Sequence, residues 1–238
     1  MKFGVVEFPG THGADDISYL LGEVMNQELI RLWAQDTNLD QFETQDCIIL
    51  PGGTAHGDYL RPGALSVTMP IMKSITAFAK KGGYVFGIGN GFQILCEAGL
   101  LPGILLNNSN NQFVAKEIYL KTITSNSPIT AAISPDEVIK LPLASRYGRY
   151  FADSETLKEL EENDQILFKY CNEKGQISEE YNPNGSVDQI AALCNSNRNV
   201  FAVMPHPERA AERELNNEDG RFLFESLFRT AKIDVINH

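Results

Sequence analysis

Tyr84-Val85-Phe86-Gly87-Ile88-Gly89-Asn90-Gly91-Phe92-Gln93 is an apolar run that enters a glycine-flanked turn and continues at once as a helical pattern through Ile94, Leu95 and Ala98. This is the sequence form of a strand, a sharp elbow and a helix. At such an elbow the tip residue is held in strained backbone geometry, small neighbours let strand and helix come close, and the side chain projects toward the helix N-terminus with its dipole and free N–H groups. The tip here is Gly89, which has no side chain. An elbow without a nucleophile cannot form a covalent intermediate.

Outward from the elbow, short apolar runs alternate with helix-like segments, the pattern of βαβ units around a mostly parallel, buried sheet. Strands are predicted at Lys2 to Phe8, Leu29 to Ala34, Cys47 to Leu50 and Tyr84 to Ile88. Helical spacing of Ile17, Leu20, Leu21 and Val24 predicts a helix over Asp15 to Asn26, and Ile71, Ile75, Phe78 and Ala79 predict another over Ile71 to Lys80. Lys80-Lys81-Gly82-Gly83 places cations in a last helical turn and glycines beyond it.

Residues 107 to 151 lose the alternation and carry β-like pieces, Glu117 to Thr124 and Glu137 to Leu141, expected as antiparallel additions to the sheet. A surface helix with Asp153 or Ser154 as N-cap is expected over Asp153 to Asn163. Strands follow at Ile166 to Tyr170, Gln189 to Cys194 and Val200 to Val203, then a closing helix over Gly220 to Ala231. The polar, Gly/Asn/Pro-containing stretch Asn172 to Ser186 is expected to be a mobile excursion. With no repeat and no linker, the expectation is one domain over 1–238.

Two further segments end apolar strands. Met204-Pro205-His206-Pro207-Glu208-Arg209 delivers an imidazole and a carboxylate two positions apart, a spacing that suits a base and its orienting acid. A lone His after a strand is more often structural than catalytic; the flanking prolines and Glu208 shift that balance. Leu50-Pro51-Gly52-Gly53 could aim backbone N–H groups at a developing oxyanion, although Pro-Gly-Gly alone is a turn signal.

Composition narrows the function further. A formal net charge of −11 with no basic run argues against nucleic-acid binding. Cys47, Cys96, Cys171 and Cys194 lack C-x-x-C spacing, so no metal site is expected, and isolated thiols fit a reducing, cytoplasmic setting. Cys96 lies seven positions past the elbow, about 10 Å along the helix at 1.5 Å per residue, too far to stand in for a nucleophile. No window reaches the roughly 18 apolar residues of a membrane span, and the first apolar run is too short for a secretory core. Neither a phosphate-binding nor a dinucleotide fingerprint is present, so no cofactor of its own is expected.

Leu50 to Gly53, Gly57-Asp58-Tyr59-Leu60-Arg61, the Gly87 to Leu95 elbow, Glu97 to Pro102, Asn182-Pro183-Asn184-Gly185-Ser186 and Met204 to Arg209 together resemble the glutaminase-subunit family of phosphoribosylformylglycinamidine synthase, among the class I glutamine amidotransferases. The likeness runs from Phe8-Pro9-Gly10 to Asp219-Gly220. It implies a flavodoxin-like α/β fold, a mostly parallel sheet with helices on both faces and added antiparallel strands. It also implies a Cys–His–Glu triad that hydrolyses glutamine through a thioester and passes ammonia to a large synthetase subunit, with or without a small third subunit. ATP and Mg would then belong to the synthetase partner.

Carried onto this chain, His206 and Glu208 match the base and its orienter. Gly89 falls on the nucleophile, Asn90 with Gly52 or Gly53 on the oxyanion hole, and Gln93 on a substrate contact. Departures cluster at the same place: Ser145-Arg146-Tyr147 where the family commonly reads His-Gly-Glu, and Thr11-His12-Gly13 where Ser-Asn-Cys is usual. The resulting expectation is a purine-biosynthesis subunit impaired in, or without, glutaminase activity. The alternatives are a scaffold, regulatory or glutamine-sensing relative, and an active amidotransferase whose cysteine was replaced by design.

Overall fold

The apolar runs assemble as one nine-stranded sheet in a computed structural model that describes residues 1–236, with side chains described through residue 231. In chain order the elements are β1 (Lys2–Glu7), α1 (Gly13–Ser18), β2 (Glu28–Trp33), β3 (Cys47–Leu50), α2 (Pro70–Lys80), β4 (Tyr84–Ile88) and α3 (Asn90–Glu97). There follow β5 (Ile104–Leu106), β6 (Val114–Thr122), β7 (Val138–Ser145), β8 (Arg149–Phe151), α4 (Ser154–Glu162), β9 (Ile166–Cys171), β10 (Ile190–Cys194), β11 (Val200–Val203) and α5 (Arg221–Ile236). The sheet order is β2-β1-β3-β4-β11-β10-β9-β6-β7, with β5 and β8 paired separately.

The sheet has two characters. From β2 to β11 every pairing is parallel, and from β11 to β7 every pairing is antiparallel. β3 and β4 are buried along their whole length, which is why they read as continuous apolar runs rather than alternating ones. β7 alternates between half-buried and buried positions, as a strand with one wetter face should. A parallel sheet with antiparallel strands added at one side is what the sequence led us to expect, with the antiparallel portion larger than residues 107 to 151 alone.

Helix α2 begins with Pro70 at its first position and buries Ile71, Met72, Ile75, Phe78 and Ala79 against the sheet. Asp153 is the N-cap of α4, its carboxylate accepting the Thr156 N–H at 2.8 Å. Two expectations need correction. The helix expected over Asp15 to Asn26 starts at Gly13 and passes into a π-helical stretch, Tyr19–Val24, with the Met25 N–H bonded to Leu20 O at 2.8 Å. Ile17, before the change of winding, and Leu20 and Leu21, after it, are all buried. The stretch Asn172 to Ser186 is not a free excursion, because Asn184 and Ser186 at its far end are 0% and 1% exposed.

Candidate functional site

The C-terminal ends of β3, β4 and β11 are neighbours in the parallel half, and each leads into one of the three segments singled out in the sequence. Open α/β sheets bind ligands at this edge. β4 runs into Gly89 at φ 53°, ψ −106°, a conformation that strains any L side chain, and the Gly89 N–H is held by Val203 O at 2.9 Å. Gly91, in the first turn of α3, lets the helix sit on β3, since a Cβ there would lie 1.9 Å from Leu50 O. The elbow is therefore set by backbone bonds and glycine packing, with no side chain at its tip.

β11 delivers His206, which is 4% exposed and whose N–H bonds Pro142 O at 2.8 Å. Its Nδ1 meets Glu208 Oε1 at 2.8 Å, and Glu208 is itself 4% exposed. The base and orienter predicted from the two-residue spacing thus touch. The imidazole faces the elbow: a Cβ placed on Gly89 would lie 3.2 Å from His206 Cε1 and 3.4 Å from Nε2. Nε2 has no hydrogen-bond partner among the described residues. A side chain one bond longer than that Cβ would reach the ring nitrogen.

The two glycines after β3 divide their labour. Gly52 lies beneath the imidazole, where a Cβ would be 2.6 Å from Cε1, so this position is a steric requirement. Gly53 pairs with Thr11 in an antiparallel bridge closed by His12 N–H to Gly52 O at 3.3 Å and Thr54 N–H to Gly10 O at 3.0 Å. Those flanking bonds make Thr11 and Gly53 a non-hydrogen-bonded pair, so the Gly53 N–H points away from the Thr11 strand. Asn90 heads α3, and its N–H is one of the donors a helix start leaves without an intrahelical acceptor. Gly52 and Gly53 both lie at this edge with Asn90, and Gly53 and Asn90 line the same cleft.

These groups border a cleft of about 160 Å³, lined among others by Gly53, Asp58, Asn90, Gln93, Arg146 and His206. The chain is 46% identical to the phosphoribosylformylglycinamidine synthase subunit PurQ of Koribacter versatilis, over 95% of this chain and 97% of that one. It belongs to the PurQ family. It is also 46% identical to PurQ of Aquifex aeolicus, over 95% of this chain and 99% of that one. Residues 4–226 match the CobB/CobQ-like glutamine amidotransferase domain family. In a solved structure of PurLQS from Thermotoga maritima, one chain superposes with a TM-score of 0.83 at 36% identity, covering 96% of this chain and 98% of that one. A glutamine amidotransferase from the same organism shares the fold alone, at TM-score 0.51 and 14% identity, with 98% and 92% of the two chains covered.

Set in that family, the cleft shows what the motifs do. Gln93, expected as a substrate contact, is 5% exposed and bound at both ends of its amide. Its Nε2 donates to Tyr147 O and its Oε1 accepts from Asn90 Nδ2, each at 2.6 Å. One donor and one lone pair of the amide remain. The Asn90 side chain, which the sequence did not single out, also accepts the Ala55 N–H at 3.0 Å and reaches Asp58 Oδ1 at 3.3 Å. Arg61 holds Glu97 through two bonds of 2.7 Å, tying the Gly57 to Arg61 loop to the end of α3.

The Asn182 to Ser186 motif clamps the opposite wall. Asn184 Nδ2 donates to Gly148 O at 2.7 Å and Tyr170 Oη at 3.0 Å, and Ser186 Oγ accepts the Tyr150 N–H at 3.0 Å. Asn108 adds Nδ2 to Ser145 O at 2.9 Å and accepts the Gly148 N–H at 2.9 Å. The loop carrying Ser145, Arg146 and Tyr147 is therefore fixed through its backbone by Asn108 and Asn184.

Asp58 is the other residue missed. Burial pushes its carboxyl up to about 6, partly offset by the Asn90 amide. The four thiols offer no replacement nucleophile. All are buried, and burial raises each of them, Cys171 and Cys194 to about 11. Among the described residues no group of His, Cys, Asp and Glu is arranged to hold a metal ion, and no helix is long and apolar enough to cross a membrane.

Proposed function

We propose that this chain is the amidotransferase-type subunit of a phosphoribosylformylglycinamidine synthase, a single amidotransferase-like domain that docks on a large synthetase subunit but forms no glutamyl thioester of its own. The observation that carries the reading is Gly89, at an elbow in full nucleophile geometry, 3.4 Å from His206 Nε2 to the point where a Cβ would be and with no atom to attack. Three features around that point support the reading: Glu208 holds the His206 ring, the Asn90 N–H heads α3, and Gln93 lines the cleft.

Family membership and the superposition on a PurLQS chain support a PurL-type synthetase and a PurS-type small subunit as partners. ATP and Mg would act on the synthetase, which would draw ammonia from solution or from another source, and this chain would serve a structural or regulatory role beside it. Its buried, unpaired thiols fit the cytoplasm.

The test is glutamate release from L-glutamine by the purified chain, alone and with the matching synthetase subunit, beside Gly89→Cys. Background release by the parent and turnover by Gly89→Cys are expected. Full activity of the parent overturns the reading. Inactivity of both forms with the partner still bound moves the chain to a pure scaffold or sensor, with the loops at 11–13 and 145–147 also departed from the chemistry.

A further inference from the structure

Strand β6 pairs with β7 from Val114 to Lys121, but with β9 only from Tyr119 onward, because β9 ends at Cys171 opposite Tyr119. Two bonds of 2.9 Å, Thr122 N–H to Glu137 O and Ile123 N–H to Leu167 O, fix which way the amides point. Even-numbered residues of β6 turn their N–H and C=O toward β7, and odd-numbered ones toward β9. Ala115 and Glu117 therefore aim theirs past the end of β9, and neither backbone has a partner on that side among the described residues. Beyond Cys171 the chain does not follow β6. The Asn172 N–H bonds Gln176 O at 3.1 Å and the Gly175 N–H bonds Asn172 O at 2.9 Å, a turn that carries Gly175 back over Val138 and Lys121.

What is left is a groove of about 530 Å³, lined by Lys116, Glu117 and Tyr119 of the open edge and by Asn172, Lys174 and Tyr181 of the segment that turned away. The outer edge of β7 is treated differently. There Pro142 O accepts the His206 N–H, Asp219 Oδ2 accepts the Lys140 N–H and Lys140 O accepts Asn217 Nδ2, each at 2.8 Å, so that edge is capped. An uncapped row of N–H and C=O groups takes up an extended segment through main-chain bonds, and residues 114–118 offer roughly 16 Å of it. Because the groove is concave, the identical groove of a second copy cannot enter it, whereas a protruding segment of another chain can. The edge also begins beside the cleft: Val114 pairs with Ser145, and Ser145 and Phe113, which is 62% exposed, both line the cleft. Lys116 has no ion-pair partner among the described residues, while Glu173 and Glu180 stand on the groove's far wall. The side-chain preference is thus for one acid opposite Lys116, not for an acidic tract.

We propose that the 115–117 edge of β6 is a strand-docking site, filled by an extended segment of the large synthetase subunit that continues the sheet where β9 stops and sets an acidic side chain opposite Lys116. This rests on the reading that the chain docks on that subunit. The main-chain groups of Ala115 and Glu117 supply the ladder, and Phe113 anchors the same partner at the cleft mouth.

The experiment reads amide hydrogen exchange residue by residue on the full chain: free, with the matching small subunit alone, and with the large and small subunits together. In the free chain the N–H groups of Lys116 and Ile118, turned toward β7, should exchange more slowly than those of Ala115 and Glu117. With the large subunit bound, Ala115 and Glu117 should slow by roughly 100-fold or more. No slowing, or the same slowing with the small subunit alone, overturns the proposal. Affinity for the large subunit is then compared among the parent, Glu117→Ala and Glu117→Pro. Proline removes only a donor that faces away from β7, a placement sheet edges tolerate. Glu117→Pro should bind roughly tenfold more weakly or worse, with Glu117→Ala within about twofold of the parent. Equal affinity of the two variants overturns strand docking. Lys116→Glu should weaken binding about two- to fivefold, and unchanged binding overturns the acidic assignment. Exchange on the parent needs no variant, so a misfolded proline form cannot hide the answer. If the parent does not bind the large subunit at all, the docking reading and this proposal fall together; if it binds with Ala115 and Glu117 still open, this proposal falls alone.

Discussion

The two sides of the cleft are built differently. On one side the ends of β3, β4 and β11 are fixed by sheet bonds and by glycines packed against backbone, as with Gly91 on Leu50 O. On the other, the wall at Ser145 to Gly148 is held by side-chain amides from Asn108 and Asn184. The frame holds Gly89, a residue with no side chain, at a sharp elbow facing the His206 ring, and the wall holds Ser145, Tyr147 and Gly148 through their backbone atoms. Position and chemistry are thus separable here: backbone and glycine packing set the shape, and single side chains decide what it does.

The largest effect should come from adding a nucleophile at the elbow. Gly89→Cys places a thiol beside His206, and we expect glutamate release to rise by at least the order of 10³-fold over the parent. In that background His206→Asn should remove most of the gain, whereas in the parent it should change release not at all, a contrast read by the same assay. The cysteine must adopt the φ of 53° that glycine adopts freely, so a fall of about 1–3 kcal/mol in unfolding free energy should accompany the gain. A gain independent of His206 would break the idea that the frame alone preserves the geometry.

Next in size is a strike at the frame itself. Gly91→Ala would push a methyl to 1.9 Å from the Leu50 carbonyl, a backbone atom on a fully buried strand that has nowhere to move. We expect about 3 kcal/mol of lost stability by chemical denaturation. The corresponding strike at the wall is Asn184→Ala, which strips the bonds to Gly148 O and Tyr170 Oη at a fully buried position and should cost about 2 kcal/mol. A wall variant costing more than the frame variant would invert the comparison.

Much of this was legible in the chain. Continuous apolar runs at Cys47 to Leu50 and Tyr84 to Ile88 gave the buried parallel strands because residues buried on both faces have no polar alternate to show. The pairing of His206 with Glu208 was readable because the partners are two positions apart on one turn. Asp58 was not readable as a cleft residue, since its place depends on three successive left-handed residues, only one of them a glycine. Asn184 looked like part of a polar loop; its burial is created by Gly148 and Tyr170, 36 and 14 positions away. The π-helical stretch at Tyr19–Val24 carries the same apolar spacing as a regular helix would.

The smallest effect concerns Asp58, which lines the cleft between frame and wall. Desolvation raises the Asp58 carboxyl to about 6 in the folded chain, above its ordinary value of 3.8. The folded state therefore holds this proton over a range in which the unfolded chain has already released it. The contribution to stability is present below pH 3.8 and is lost as pH rises through about 6. In Asp58→Asn that decline should vanish, so the difference in melting temperature between parent and variant should shift in the variant's favour from pH 4 to pH 7. A saturating cationic ligand at the cleft should erase the same decline in the parent, because it favours the ionised carboxylate. If the parent's decline survives in Asp58→Asn, the proton belongs to another group and Asp58 is better solvated than the cleft geometry implies.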